Sequence, residues 1–522
     1  MKRLARLAPR DWIGLGLVLA GLALRLRQYL VNRSLWLDEA MLANNILSRD
    51  VARLLQPLDN DQGAPVGFLV LQKSVTLYLG SSEYALRLIP FLAGCLALAL
   101  MFLLVRKMTG AFAGSLALAL FAFSPALVSY SSEAKQYSSD AAIALALFLL
   151  FLRLAKNADN GRSSREFPEN ANDENGNSQI RGIRDKENMI LLALAGALAV
   201  WLSHPALFVV GAFGLALFLS ALRGKDRRGI AALLLVGAVW IVNLAALYLL
   251  NLRQLSTHQF FLDFWREGFV PRDASAFAWI ASSLRAPFAD LLGLRIPYLV
   301  STPLFLIGTI GLTRRLPRFG LFLLLTFLLA LLASFLTLYP FAGRMILFLA
   351  PALTLLLAEG AETLAVLLSR PRWLAWTIRL VLAASLLAGP AALAYENFAA
   401  PKLREHIRPT MEYLREHYKE GDIVYVYHWA EHAVRFYAPK YGLCLCDFTF
   451  GEDHHDQPEL YRAELDALHG RARVWFLFSH VYERGDFNER DYILHYLDSI
   501  GTLTREYRVP GTSVYLYLYD LK

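Results

Sequence analysis

The sequence predicts a polytopic α-helical membrane protein with a small α/β domain at its C-terminal end. Of its 522 residues, 56% are hydrophobic and only 18% are charged, whereas about 25% of the residues of a soluble domain are charged. Long apolar segments recur until residue 394, and short alternating strand and helix patterns follow. The net charge of +8 comes from short basic clusters between apolar segments. Such clusters are typical of membrane topology and argue against nucleic-acid binding.

A membrane-crossing helix needs about 20 apolar residues, and about eleven segments of the chain meet that requirement. They lie near 12–30, 86–105, 110–129, 138–155, 189–203, 205–222, 229–250, 297–313, 319–338, 345–368 and 373–394. The shorter apolar stretch 64–79 contains Gln72 and Lys73, and we expect a juxtamembrane helix there. With a cytoplasmic N-terminus, this assignment puts most basic clusters inside, as the positive-inside rule requires. The basic N-terminus precedes no small-residue cleavage site, which favours a retained first helix over a signal peptide.

This topology divides the chain into two predicted domains. Residues 1–398 form the transmembrane domain, and residues 399–522 form an extracytoplasmic α/β domain. Within the first, we expect an external loop with juxtamembrane helices at 31–85, a disordered cytoplasmic loop at 156–187 and a further external loop at 251–296. The polar, Asn-rich composition of 156–187 supports disorder.

The cysteines and histidines give little sign of a metal or disulfide framework. Cys444 and Cys446 are one residue apart, a spacing that is unfavourable for a strain-free bridge. Four histidines of the C-terminal domain match no standard zinc spacing, and we expect them to be surface residues; they are His428, His432, His454 and His455. A P-loop and a dinucleotide fingerprint are also missing from the sequence.

Unusual polar residues collect in the predicted external loops. Asp38 and Glu39 follow the first span, the Glu133–Asp140 loop follows the third, and His204 and Arg344 lie at later outer turns. Charge at a membrane boundary is costly unless it is paired, hydrated or used. Together these groups suit a reaction between a water-side acceptor and a lipid-borne anion.

Each of these residues also has a structural interpretation. Asp38 and Glu39 could cap the next helix, and Glu133 could pair with Lys135 at the interface. His204 could end a helix, and Arg344 could extend towards lipid headgroups. The grouping on one face is stronger evidence than any single residue.

The order of these features resembles the polyprenyl-phosphate-sugar-dependent glycosyltransferases of the membrane GT-C fold. The likeness is greatest to family 39, which contains protein O-mannosyltransferases and lipid A aminoarabinose transferases. The matching residues are Trp36–Ala40, Gly63-Ala64-Pro65, Tyr84–Pro90, Ser124-Pro125 with the Glu133–Asp140 loop, and Gly343-Arg344 followed by Pro351. The resemblance covers most of 1–370. Lys135 stands where relatives often carry arginine, which keeps the charge but loses bidentate phosphate binding.

The resemblance implies an inverting transfer of a sugar from a polyprenyl-phosphate donor to an acceptor hydroxyl on the extracytoplasmic face. Asp38 is the expected base, and Glu39 would support it or share a bound cation. The residues expected to bind the donor phosphate and sugar are Lys135, Tyr137, Arg344, His204, Glu133 and Asp140. The metal question stays open at this point: Asp38 and Glu39 are the candidate ligands, and their hard oxygen atoms would suit Mg²⁺ or Mn²⁺.

Two other classes of function compete with a glycosyltransferase. A transporter or flippase of a lipid-linked sugar would carry charges near the bilayer midplane and often internal repeats, but the sequence shows no evident repeat. A non-catalytic lipid-binding scaffold would tolerate loss of Asp38. The expected partners are the lipid-linked donor, membrane lipids and a glycan, lipid or protein acceptor, in a bacterial plasma (inner) membrane.

Overall fold

A computed structural model describes residues 9–166, 174–253, 259–283, 285–368 and 372–522. Within these ranges, eight helices are long and apolar enough to cross a membrane by length and composition: Asp11–Leu30, Glu83–Met108, Tyr137–Ala155, Ala206–Arg223, Arg227–Leu250, Pro317–Phe335, Gly343–Leu367 and Trp373–Ala399. Val66–Leu79 and Ala111–Phe123 are shorter apolar helices. The polytopic helical class is therefore confirmed, whereas the number of about eleven crossings stays a prediction.

Sixteen α-helices are described within the first 400 residues. Their bounds are α1 Pro9–Leu30, α2 Leu37–Ser48, α3 Val66–Leu79, α4 Glu83–Met108, α5 Ala111–Phe123, α6 Pro125–Tyr130, α7 Tyr137–Glu166, α8 Glu174–Leu202, α9 Ala206–Arg223, α10 Arg227–Leu247, α11 Gln259–Phe264, α12 Ala276–Ser283, α13 Tyr298–Arg315, α14 Pro317–Phe335, α15 Ala350–Leu367 and α16 Arg372–Ala399. A 3₁₀ segment, Gly343–Leu349, leads into α15.

Close backbone approach holds two of these helices together. A Cβ atom on Gly308 of α13 would lie 1.8 Å from the carbonyl oxygen of Leu356 in α15. The reverse contact is equally tight, because a Cβ on Gly360 would lie 1.9 Å from the carbonyl oxygen of Leu304. Small residues at a helix crossing let backbones approach where lipid supplies no hydrophobic driving force. Any side chain at either glycine would force α13 and α15 apart.

The C-terminal domain is a five-stranded mixed sheet with helices on both faces. Its strands are β1 Ile423–Val426, β2 Phe448–Phe450, β3 Val474–Phe478, β6 Thr502–Arg508 and β7 Tyr515–Asp520, and a small hairpin comprises β4 Glu483–Arg484 and β5 Phe487–Asn488. The sheet order is β2-β1-β3-β7-β6; β2, β1 and β3 are parallel, and β7 and β6 pair antiparallel. The helices are α17 Arg408–His417, α18 Glu431–Tyr437, α19 Leu460–Asp466 and α20 Glu489–Ile500. The predicted α/β alternation is confirmed.

The C-terminal domain shares a hydrophobic core with the segment around α2. Leu35, Ala40 and Ala43 are buried in the same cluster as Val434 of α18 and Trp475 of β3. Apolar side chains of α2, of the residue Leu35 before it and of the C-terminal domain are thus removed from water together, which stabilises both parts. The division at residue 398 is therefore a change of composition and not a break in packing.

One other sequence expectation meets a different structure, and one stays a prediction. The polar segment 156–187 was predicted as a disordered loop; α7 ends at Glu166 and α8 begins at Glu174, and residues 167–173 lie outside the described ranges, so the disorder stays a prediction. Cys444 and Cys446 form a disulfide, which their spacing argued against. Their Cα atoms are 5.2 Å apart, within the range that a disulfide spans.

Candidate active site

Asp38 lies between two cations that come from distant parts of the chain. The Nζ atom of Lys135 is 2.8 Å from Asp38 Oδ1, and Nη1 of Arg344 is 2.9 Å from Asp38 Oδ2. Asp38 belongs to the first turn of α2, Lys135 to the loop between α6 and α7, and Arg344 to the 3₁₀ segment before α15. Lys135 also donates a hydrogen bond of 2.5 Å to Oε1 of Gln62. Three of the predicted site residues therefore meet at one point.

The charges in this cluster favour an ionised Asp38. Burial would raise the pKa of Asp38, but Lys135 and Arg344 lower it, and the net shift is below the ordinary value. The pKa of Lys135 is below its ordinary value. Burial and the positive charge of Arg344 lower this pKa, and Asp38 only partly offsets them. With both basic groups protonated, the three residues carry one surplus positive charge. That surplus would attract an anionic ligand.

Arg344 is held by aromatic rings as well as by Asp38. Its guanidinium carbon lies 5.7 Å from the ring of Trp36, 5.6 Å from Tyr137 and 5.7 Å from Trp265. Such cation–π contacts stabilise a cation by about 0.5–2 kcal/mol, more where water is excluded. The Nε atom of Arg344 is buried and makes no hydrogen bond within the described part of the chain, so the guanidinium keeps a donor for another acceptor.

Glu39, the neighbour of Asp38, points into the protein and not into the site. Its carboxylate accepts hydrogen bonds of 2.8 and 2.6 Å from Nε and Nη2 of Arg87 in α4, and one of 2.7 Å from the N–H of Ala134. Arg87 also donates to the carbonyl oxygen of Arg33 at 2.6 Å. Glu39 thereby ties α2, α4 and the loop that carries Lys135 into one unit. The Tyr84–Pro90 motif contained Arg87, but its partner became visible only in the folded chain.

Glu133 is likewise fully buried and joins the C-terminal domain to the loop between α6 and α7. Its Oε1 lies 2.8 Å from Nη1 of Arg404 and 3.5 Å from Nη2 of Arg33. Burial raises the pKa of Glu133, Arg404 and Arg33 lower it, and the net result is a raised pKa. Arg404 also stacks on Trp36, 5.3 Å from its ring centre. Sequence reasoning missed Arg404, which carries no local motif.

The C-terminal domain also caps the start of α2. Oε2 of Glu405 accepts the Leu37 N–H at 2.8 Å, and its Oε1 lies 2.6 Å from Nδ1 of His480. The hydroxyl of Tyr437 accepts the Leu35 N–H at 2.8 Å. The first N–H groups of a helix lack partners within the helix, and here a carboxylate more than 360 residues away supplies one. No local sequence signal could have identified Glu405 in this role.

A cavity of about 2090 Å³ opens at this site. Of the residues predicted from the sequence, its wall contains Asp38, Lys135, Tyr137, His204 and Arg344. The other three predicted residues are fully or almost fully buried and do not line it; they are Glu39, Glu133 and Asp140. The side chain of Asp140 contacts Ser203, and Ser203 belongs to the turn that also carries His204.

The remaining cavity wall has two chemically different parts. One part is apolar and includes Ile241, Leu244, Tyr248, Phe264 and Trp279. The other comes from the C-terminal domain and is rich in aromatic and imidazole rings; it includes Trp429, His432, His455, His480 and Tyr482. The cavity wall can therefore contact both a hydrocarbon chain and a polar molecule.

The carboxylates of Asp38 and Glu39 do not fit a shared divalent cation in this arrangement. Both Asp38 oxygens already face a cation, Lys135 or Arg344. Both Glu39 oxygens are taken by Arg87 and by the Ala134 N–H. A Mg²⁺ or Mn²⁺ ion would have to displace these partners from two carboxylates that point apart, so no step is assigned to a metal here.

Comparison with known proteins identifies the fold. Residues 62–167 match the family described as dolichyl-phosphate-mannose-protein mannosyltransferase, a stretch that includes Lys135 and Tyr137. No curated protein sequence matches the chain.

Two solved structures of ArnT from Cupriavidus metallidurans resemble the chain along almost its full length. The apo form has 14% identity and a TM-score of 0.53, over 97% of this chain and 98% of that one. The form bound to undecaprenyl phosphate has 12% identity and a TM-score of 0.50, over 98% of each chain. An oligosaccharyltransferase from Archaeoglobus fulgidus, in complex with Zn and sulfate, has 14% identity and a TM-score of 0.50, over 88% of this chain and 67% of that one. The predicted resemblance is confirmed at the level of the fold: this chain is a membrane protein with the GT-C glycosyltransferase fold.

Proposed function

We propose that this protein is a membrane glycosyltransferase that moves a sugar from a polyprenyl-phosphate donor to an acceptor hydroxyl, with inversion, on the extracytoplasmic face. The observation that carries the proposal is the pairing of Asp38 with both Lys135 and Arg344 at the wall of the cavity. A reaction of this kind needs a base for the acceptor and cations for the departing phosphate. The likeness to ArnT bound to undecaprenyl phosphate supports a lipid phosphate as the donor's carrier.

An exchange of ion-pair partners would activate Asp38. In the absence of donor, Lys135 and Arg344 lower the pKa of Asp38, which makes it a weak base. A lipid phosphate that enters the cavity would take over these two cations and add negative charge beside Asp38. Both effects raise the pKa of the carboxylate towards the range of an effective base. The base thus becomes effective only when the donor is in place.

The chemical step would then be a single displacement. The acceptor oxygen attacks the anomeric carbon, and its proton passes to an Asp38 oxygen. The bond between that carbon and the phosphate oxygen breaks, and its electron pair leaves with the lipid phosphate, which Lys135 and Arg344 stabilise. Attack opposite the leaving group inverts the configuration. The apolar cavity wall would hold the lipid chain, and Tyr137 would hydrogen-bond the sugar or the phosphate.

His204 and Asp140 would act at the edge of this site. His204 lines the cavity, and we assign it to the donor phosphate. Asp140 is buried behind the wall next to Ser203, where it would position the turn of His204. Glu39 and Glu133 would position the loop that carries Lys135, through Arg87 and Arg404.

The test compares cells that contain wild-type protein, the Asp38→Asn variant or no protein. In cells with Asp38→Asn and in cells without the protein, lipid, glycan and glycoprotein profiles should show that one polyprenyl-phosphate sugar accumulates. The same profiles should show that one glycosylated product is lost. Removal of a general base typically costs 10²–10⁴-fold in rate. Asp59→Asn, an exposed carboxylate of the same loop, should behave as wild type.

Near-normal product in cells with Asp38→Asn would refute the assignment of the base. Two observations in cells that lack the protein would instead indicate a flippase. The donor sugar would be found only on the cytoplasmic face, and transfer would still occur once the donor is delivered to the outside.

A further inference from the structure

One loop of the C-terminal domain carries five consecutive ionisable residues, Glu452-Asp453-His454-His455-Asp456. The structure brings two of them to Glu464 of α19. One potential ligand atom each of Glu452, His454 and Glu464 lies within 4.8 Å of the others. We call these three residues the histidine–glutamate cluster. Nε2 of His454 is 3.1 Å from Oε1 of Glu464, so a nitrogen and an oxygen ligand already face each other.

A buried imidazole lies against the loop that carries the cluster. The His428 side chain is only 8% exposed, and its Nε2 makes no hydrogen bond with any residue that the structure describes. That nitrogen faces Oδ1 of Asp453 at 3.4 Å, in the same loop. The loop that carries two of the three residues of the cluster is therefore packed against a buried imidazole nitrogen.

We propose that the histidine–glutamate cluster binds a divalent transition-metal ion, with zinc as the best fit, next to His428 and Asp453. One imidazole nitrogen and two carboxylate oxygens are ligands that zinc accepts, and three protein ligands leave a position for water or a fourth group. Imidazole favours zinc over Mg²⁺ or Ca²⁺, which prefer oxygen ligands alone. Glu452 is exposed, so the ion can enter from solvent.

The surroundings of the cluster are arranged to orient its ligands. The Tyr425 hydroxyl donates a hydrogen bond of 2.7 Å to Oε2 of Glu464, which fixes that carboxylate from behind. The N–H of Glu452 donates to Oε1 of the same carboxylate at 2.9 Å. Partners of this kind set ligand orientation in metal sites.

A metal ion here would hold one wall of the cavity. His455 follows His454 directly and lines the cavity with Tyr482, and their rings lie 5.3 Å apart. An ion that joins the loop to α19 would keep His455 at that wall. The proposal does not depend on the transfer reaction, because the cluster lies outside the group around Asp38.

Zinc titration of the purified full chain in detergent, after treatment with a chelator, tests the proposal. Calorimetry should show one saturable zinc site per chain, and Co²⁺ should give a visible absorption spectrum of a nitrogen- and oxygen-ligated ion. His454→Ala and Glu452→Gln should each weaken binding at least roughly tenfold, the lower end of what loss of a supporting group costs. Glu452 is exposed, so its variant should fold even if another does not.

Two controls separate this site from other sources of binding. His469→Ala removes an exposed histidine elsewhere in the domain and should leave zinc affinity unchanged. Asp38→Asn should also leave it unchanged, since Asp38 belongs to the other site. The proposal is overturned if wild-type protein shows no saturable zinc binding, if His454→Ala and Glu452→Gln bind zinc as tightly as wild type, or if the affinity depends on Asp38.

Discussion

Replacing Arg87 by methionine tests how much the buried ion pair between Glu39 and Arg87 stabilises the protein. The side chains of Glu39 and Arg87 are 0% and 2% exposed, and they share two hydrogen bonds of 2.8 and 2.6 Å. Loss of one partner from a buried pair costs about 3–5 kcal/mol, because the remaining charge stays buried without compensation. Of the contacts described above, Glu39 would keep only the Ala134 N–H. We therefore expect Arg87→Met to destabilise the protein by about 3–5 kcal/mol.

The chain contains a matched control for burial. Arg379 and Glu362 form the same two-bond geometry, with both distances 2.8 Å, but these side chains are 16% and 28% exposed. A charge that is partly exposed loses less than a fully buried one when its partner is removed, so Arg379→Met should cost less than Arg87→Met. The assay is reversible unfolding of the purified protein in detergent, followed by tryptophan fluorescence. The double variant Glu39→Gln/Arg87→Met removes both charges and should recover part of the loss.

Two results would refute this reasoning. Arg87→Met could be no less stable than Arg379→Met, in which case the pair contributes little. Alternatively, the double variant could lose as much stability as the two single variants summed, which would show no coupling between residues in direct contact.

Three further predictions concern the site itself. Arg344→Lys keeps the charge but loses the planar contact with the rings, so transfer should fall and the KM for the lipid-phosphate donor should rise in a vesicle assay; an unchanged KM would reject the phosphate role. Glu405→Ala removes the acceptor of the Leu37 N–H and should lower kcat while the KM for the donor stays constant. Glu405→Gln keeps an oxygen acceptor and should retain part of kcat. An equal loss of kcat in both variants would indicate a purely structural effect. The pKa of Asp38 in the folded protein is lowered from its ordinary value of 3.8, so its ion pairs stabilise the protein above that pH, and this stabilisation is lost as the pH falls through the lower folded value. Asp38→Asn should therefore lose less stability than wild type when the pH is lowered. Equal losses in the two proteins would contradict the prediction.

Much of the architecture follows from patterns that lie along the chain. Apolar runs of about 20 residues identify crossing helices because a bilayer admits little else. The alternating strands and helices after residue 400 predicted the α/β domain for a similar reason, since each element shows its own apolar period. The same local reading placed Asp38, Lys135 and Arg344 among the candidate residues, as charges beside long apolar segments.

The partners of those charges were decided by tertiary structure alone. Asp38 and Glu39 are adjacent in the sequence, yet one faces the cavity and the other faces Arg87, because successive side chains on a helix point about 100° apart. Glu405 and Arg404 reach the same site from the other end of the chain. The histidine spacing in the C-terminal domain hid the cluster for the same reason, since Glu464 comes from a separate helix. A sequence shows which groups are costly to leave unpaired in or beside a membrane, but only the folded chain shows which groups pair with them.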